Sequence, residues 1–217
     1  MSPLLGIYSG NPASPKLPED GLKASREAFF QPRLGYLGDF IHSTPLTQGI
    51  DSVSSFQMIV LGGVFLQRIQ IALTGGSVNV NFYFPKHSLQ NVRTGTSPTY
   101  GGRIQTILVS TKHALLGLSL SGLRASGGLR DKNFSWRLNA AQMGLSVGSS
   151  IGSLLSPYLG GQISSFSGKV GKIPYHIERN FCGLAGCAIT AHAIFSMNIE
   201  ARFIGEEGIS LEAYFAF

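Results

Sequence analysis

Cysteine is nearly absent: Cys182 and Cys187 are the only two in 217 residues, and no second pair or flanking histidine completes a zinc-ligand set. Both are read as buried free thiols rather than as a disulfide or metal ligands. Charge is also scarce, at 13% of residues against 43% hydrophobic, which excludes a disordered polyelectrolyte and a coiled coil. The 28 glycines follow no triplet period, which excludes collagen. Met1-Ser-Pro-Leu-Leu-Gly has neither the basic opening and apolar run of a secretory signal nor an Arg-rich transit composition. The expectation is cytoplasmic synthesis, with the product inside an assembled particle or at a membrane.

Acid is the charge of one sign that the middle of the chain lacks. Between residues 52 and 177 there are eleven lysines and arginines against Asp131 alone, while the first 51 residues carry net −1 and the last 40 net −3. A basic middle attracts phosphate on nucleic acid or on anionic lipid. Arg68, Arg93, Arg103, Lys112, Arg124, Arg130, Lys132, Arg137, Lys169 and Lys172 are therefore the candidate polyanion contacts. Their wide spacing also suits scattered solubilising charges.

The length suits one compact domain plus an arm. Six of the ten prolines fall in the first 45 residues, which predicts an N-terminal arm over 1–50 with a short helix from Leu22 to Phe30 after Pro18-Glu19-Asp20. Residues 51–217 are expected to form one β-rich domain. Phe65, Ile69, Ile71 and Leu73 alternate with polar or small residues, Thr74-Gly75-Gly76-Ser77 reads as a turn, and Val78, Val80, Phe82 and Phe84 continue as a partner strand. Further strands are expected near Phe56 and over Arg103–Thr111, Ala114–Leu123 and Phe134–Ala140. Phe195–Phe203, a turn at Gly205–Gly208 and Ile209–Phe217 form a last hairpin. The expected fold is all-β, mainly antiparallel, with about eight strands in a sandwich, jelly roll or barrel.

Residues 138–168 contain no charged side chain, and Gly144, Gly148, Gly152, Ser156 and Gly160 recur every four residues. This predicts a buried helix or loop, with a membrane-inserting segment or strands as alternatives. Residues 181–199 are also uncharged and suit either a spanning helix or two buried strands.

Catalytic patterns are thin. Gly144-Leu145-Ser146-Val147-Gly148 matches a nucleophile elbow, with Glu178 and His192 following in hydrolase order. A chain with 28 glycines and 26 serines produces such a pentapeptide by chance, and alternating strands lack the βα rhythm that the elbow needs. His42, His87, His113, His176 and His192 are too dispersed for a metal pair. No catalytic set, metal, cofactor or small-molecule substrate is assigned, and the protein is not expected to be an enzyme.

The final strand resembles the C-terminal strand of outer-membrane β-barrels, with an aromatic last residue and apolar positions at every second residue inward: Phe217, Phe215, Ala213, Leu211 and Ile209. This resemblance implies lipid-facing apolar positions and a lumen lined by Arg68, Asn79, Asn81, Glu200 and Arg202. The main expectation is instead a coat- or matrix-like assembly protein of a virion or capsid type, homo-oligomeric through its sheet faces and touching nucleic acid or an anionic membrane surface. An integral barrel forming a pore is the alternative, followed by a soluble sandwich that binds a ligand.

Overall fold

Period-two alternation runs through nearly every segment that the computed structural model describes, namely residues 30–47, 50–65, 69–84, 91–111, 114–129, 132–149, 151, 154–176, 181–192 and 195–217. That pattern puts successive side chains on opposite faces of a strand. Twelve strands result: β1 Phe30–Leu46, β2 Ile50–Phe65, β3 Ile69–Tyr83, β4 Asn91–Arg93, β5 Ser97–Ser110, β6 Leu115–Leu129, β7 Lys132–Gly148, β8 Leu155–Val170, β9 Ile173–His176, β10 Phe181–His192, β11 Phe195–Phe203 and β12 Glu207–Ala216.

The strands form one antiparallel sheet that closes on itself. Its order is β10-β11-β12-β1-β2-β3-β5-β6-β7-β8, and β8 pairs back onto β10. Ten strands therefore make the barrel, while β4 extends β3 and β9 extends β8. The stagger can be read from residues that lie directly opposite one another. From Leu155 on β8 the trail passes Ile189, Met197, Ala213, Tyr36, Ile59, Gly75, Tyr100, Arg124 and Asn139, and returns to β8 at Ser167, twelve residues further on. A stagger of that size over ten strands requires a tilt of about 40° to the barrel axis. Phe30 and Phe217 lie at one end, called here the terminal end. The β1–β2, β3–β5, β6–β7 and β8–β10 connections lie at the far end, towards which the β11–β12 turn also points.

Several expectations are corrected. The sheet is all-β and antiparallel as expected, and of the sandwich, jelly roll and barrel expected it is the barrel, closed by ten strands rather than about eight. Within the arm predicted over 1–50, Phe30–Leu46 is a 17-residue strand in the barrel wall, and residues 1–29 lie outside the described residues. The helix predicted from Leu22 lies outside the described residues apart from Phe30. Residues 138–168 are not helical where described: they form the end of β7 and most of β8. A spacing of four is a multiple of two, so Gly144, Gly148 and Gly160 share the inward face of strands as readily as a helical stripe. Residues 181–199 are β10 and the start of β11, and among the described residues no helix is long and apolar enough to cross a membrane. The turn expected at Thr74–Ser77 is the middle of one continuous strand, β3. The last turn falls one residue earlier than expected, with Ile204 and Gly205 at φ of 63° and 93°, the paired positive values that a tight hairpin needs.

Candidate functional site

The wall and the lumen together form the candidate site, because the polarity of a soluble protein is inverted across them. Outward side chains in the terminal half are large and apolar: Leu73 is 69% exposed, Leu159 65% and Phe217 73%. Around the circumference Leu34, Tyr36, Phe40, Ile59, Leu61, Ile71, Ile104, Leu120, Leu145, Ile163, Ile199 and Leu211 are also exposed. A soluble monomer does not leave so continuous an apolar surface in water. On β8 the outward apolar run from Leu155 to Ile163 gives nine residues along a tilted strand, about the length that crosses a bilayer core.

Inside that belt the side chains are polar and buried. Arg103 on β5 and Glu212 on β12 are separated by four strand steps one way round the barrel and six the other, so their ion pair crosses the lumen. It has an N···O distance of 2.5 Å and a second hydrogen bond of 3.1 Å from the guanidinium to the other carboxylate oxygen. The Tyr214 hydroxyl donates to the same carboxylate, and the guanidinium lies 5.5 Å from the Tyr214 ring centre, within reach of a cation–π contact. The hydrogen bond, the close second contact and the donated hydroxyl offset part of the cost of taking both charges out of water. Nearer β8, the Tyr158 hydroxyl donates to Glu200 at 2.8 Å, and Asn198 donates to the Tyr158 oxygen at 3.0 Å. Arg202 pairs with both Asp39 and Glu206, the latter at 2.5 Å. Glu206 sits in the β11–β12 turn, where burial pushes its carboxyl up to about 7 although Arg202 pulls it down.

Missing side chains make room for these rings. A Cβ at Gly35 would lie 2.6 Å from the Tyr214 ring, and one at Gly186 would strike the Tyr158 ring. Each tyrosine is directly opposite its glycine across a strand pair, so ring and glycine form one unit.

The far end of the lumen is different. Phe82 lies 5.6 Å from Tyr175 and 6.4 Å from Trp136, centroid to centroid, within the range of edge and tilted aromatic packing. Phe82 and Trp136 stand on β3 and β7, so the contact spans the lumen. With Phe56, Met58, Val78, Val80, Phe84 and Leu138 these rings form an apolar plug.

The candidate polyanion residues scatter across these regions. Arg103 is in the lumen, paired with Glu212, and offers nothing to an external phosphate. Arg93, Arg124, Arg137, Lys169 and Lys172 are exposed. Arg68, Lys112 and Arg130 lie outside the described residues, and Lys132 is described only as backbone of β7. Of the expected lumen residues, Glu200 and Arg202 face inward, while Asn79 and Asn81 face outward because Val78, Val80 and Phe82 take the inside. Reasoning from sequence missed Asp39, Glu206 and Glu212, since their partners are more than a hundred residues away or in a turn. Ser146 is buried on the inward face of the straight strand β7, so the strand-to-helix elbow is absent. Glu178 lies outside the described residues. The two thiols are free, Cys182 buried inward and Cys187 half-exposed, and their odd spacing puts them on opposite faces. No group of three or more metal-ligating side chains forms among the described residues.

No protein family and no curated protein matches the sequence. Among solved structures, an outer membrane channel from Pseudomonas putida F1 is similar over 96% of this chain and 100% of its own, at 10% identity and a TM-score of 0.52. The translocator domain of the autotransporter NalP from Neisseria meningitidis is similar over 92% and 94%, at 12% identity and a TM-score of 0.44. The expected virion, capsid, matrix and jelly-roll character is overturned: the sheet closes on itself instead of forming a jelly roll, and the fold is the barrel that the Pseudomonas channel resembles.

Proposed function

We propose that this chain is a non-enzymatic integral membrane β-barrel of the pore type, held shut in this state. The observation that carries the reading is the exposed apolar belt around a wall whose lumen holds buried ion pairs. In water that belt would be a large unfavourable surface, whereas in lipid it is the solvated face, and barrel closure leaves no strand edge unpaired. The polar half of the lumen supports a hydrophilic path. The aromatic plug of Phe82, Trp136 and Tyr175 closes it at the far end.

Two measurements on the full-length protein test this. Wild type should require detergent for extraction and should run as a heat-modifiable band after folding into phosphatidylcholine vesicles; a monodisperse, detergent-free soluble species would overturn the membrane reading. In planar bilayers, replacing both Phe82 and Trp136 with alanine should raise conductance well above that of wild type. An unchanged trace would remove the pore while leaving the barrel.

A further inference from the structure

The belt ends before the wall does, and on β6–β9 it gives way to a cluster of cations. Along β7 the outward residues run Val147, Leu145, Met143, Ala141, Asn139, Arg137 and Ser135 from the terminal end. Directly opposed residues trace rows across the strands, each climbing towards the far end from β6 to β8 because the strands tilt. Leu120, Met143, Ile163 and Phe181 form one apolar row, Gly122, Ala141 and Ser165 a row of small residues, and Arg124, Asn139, Ser167 and His176 the next. One step further out stand Ser126, Arg137, Lys169 and Pro174. Six residues separate Met143 from Arg137 and four separate Leu120 from Arg124, the latter about 13 Å along the strand and about 10 Å along the axis at this tilt. That is the depth change from upper acyl chain to headgroup.

Arg137 and Lys169 are directly opposite each other, an arrangement that like charges make unfavourable. Arg124 lies on the neighbouring strand, diagonal to Arg137, and Lys172 in the turn after β8. None of the four has an ion-pair partner among the described residues. No described carboxylate faces outward on these strands, whereas at the far end of β12 and β2 the outward charges are Glu207 and Asp51. Beside the cations the wall is indented by a groove of about 900 Å³ lined by Ser126, Arg137, Asn139, Ser167, Lys169 and His176. Its edge is fixed by β9: the Tyr175 hydroxyl donates to the Arg137 carbonyl at 3.3 Å, and the Tyr175 ring fits where Gly168 has no Cβ.

We propose that this groove binds the phosphate-bearing headgroup of an anionic membrane lipid, with Arg124, Arg137, Lys169 and Lys172 supplying the charge and Ser126, Asn139 and Ser167 hydrogen bonds. The inference rests on the membrane-barrel reading. It selects lipid over other phosphates because the apolar row lies on the same strands, four residues from Arg124 and six from Arg137 and Lys169, so one molecule can place its chains on the belt while its phosphate relieves the Arg137–Lys169 repulsion.

The test is native mass spectrometry of the full-length protein released from micelles of equal phosphatidylcholine and phosphatidylglycerol. Wild type should retain phosphatidylglycerol selectively, and Arg137→Gln with Lys169→Gln should lower that retention by about tenfold or more. Arg93→Gln, an exposed cation on β4, should leave it unchanged. Equal retention of both lipids by wild type, or wild-type retention by the double variant, would overturn the site. So would displacement of the lipid by inorganic phosphate alone, or charge-dependent capture of a single-stranded oligonucleotide in its place. Folding is checked by the heat-modifiable band in pure phosphatidylcholine, which separates the two readings. A folded protein without lipid preference removes only the headgroup site, whereas failure of wild type to insert removes the barrel reading and this one with it.

Discussion

The two halves of β3 have opposite polarity. From Ile69 to Leu73 the apolar side chains point outward, with Gln70, Ala72 and Thr74 inside; from Val78 to Phe82 they point inward, with Asn79 and Asn81 outside. The phase of the alternation changes at Gly75-Gly76 without any break in pairing to β2. The same change appears on β7, where Trp136, Leu138 and Ala140 face in and Met143, Leu145 and Val147 face out. On β6, Leu123 and Ala125 face in while Leu120 faces out. The far half of the barrel is therefore built like a soluble protein around an apolar core, and the terminal half like one solvated by hydrocarbon. On the membrane-barrel reading proposed above, the level at which the phase changes is where the surroundings change from water to lipid.

The largest effect should come from breaking the lumen of the terminal half. Glu212→Ala leaves Arg103 buried without its carboxylate and should cost about 3–5 kcal/mol, measured by urea titration of the folded protein in vesicles. Replacing Arg103 with methionine and Glu212 with leucine together should recover most of that loss, because the cost lies in the orphaned charge. A similar loss in the double variant would show that the pair itself, and not its imbalance, holds the barrel.

The contrast between the halves of the wall predicts a position-dependent cost for the same residue. Leu159→Arg, at mid-belt, should destabilise by about 2–4 kcal/mol, while Asn139→Arg, beyond the belt, should cost about 0–1 kcal/mol. Equal costs at both sites would mean that hydrocarbon does not cover the terminal half alone.

Next in size is the ring-on-glycine packing. Gly186→Ala puts a methyl group into the Tyr158 ring and should cost about 1–3 kcal/mol by overpacking. Combining it with Tyr158→Leu should regain part of the loss, a double-mutant cycle that isolates the contact.

The last comparison is the pH response of Glu206, whose burial cost Arg202 offsets in part. Its native pKa of about 7 exceeds the ordinary 4.5, so the native state binds more protons than the unfolded chain between those values. Stability should fall as pH rises through that window and level off above it. The thermal midpoint of the heat-modifiable band should thus be higher at about pH 5 than at about pH 8, and Glu206→Gln should remove this part of the difference.

Much of the fold was legible in the sequence, since period two locates strands wherever one face differs from the other. The alternation of the final strand from Ile209 to Phe217 is legible in the sequence, but only the barrel alternative puts that face outward. β3 was split into a hairpin because a glycine pair at a reversal of phase looks the same in sequence as a turn. The stretch 138–168 reads as a buried helix or loop ahead of strands because small residues spaced by four fit both periods. Asp39, Glu206 and Glu212 were not found as lumen groups because scarce acids at the chain ends read as solvated charge.

Composition and alternation alone determined an antiparallel, all-β chain of low charge with a basic middle, because strand periodicity is local. Only the tertiary structure decided that β8 meets β10, which face of each half is buried, and that Arg103 finds Glu212 across the lumen. Closure and the sidedness of each strand depend on pairings between distant residues, and period two records that two faces differ without recording which of them is in water.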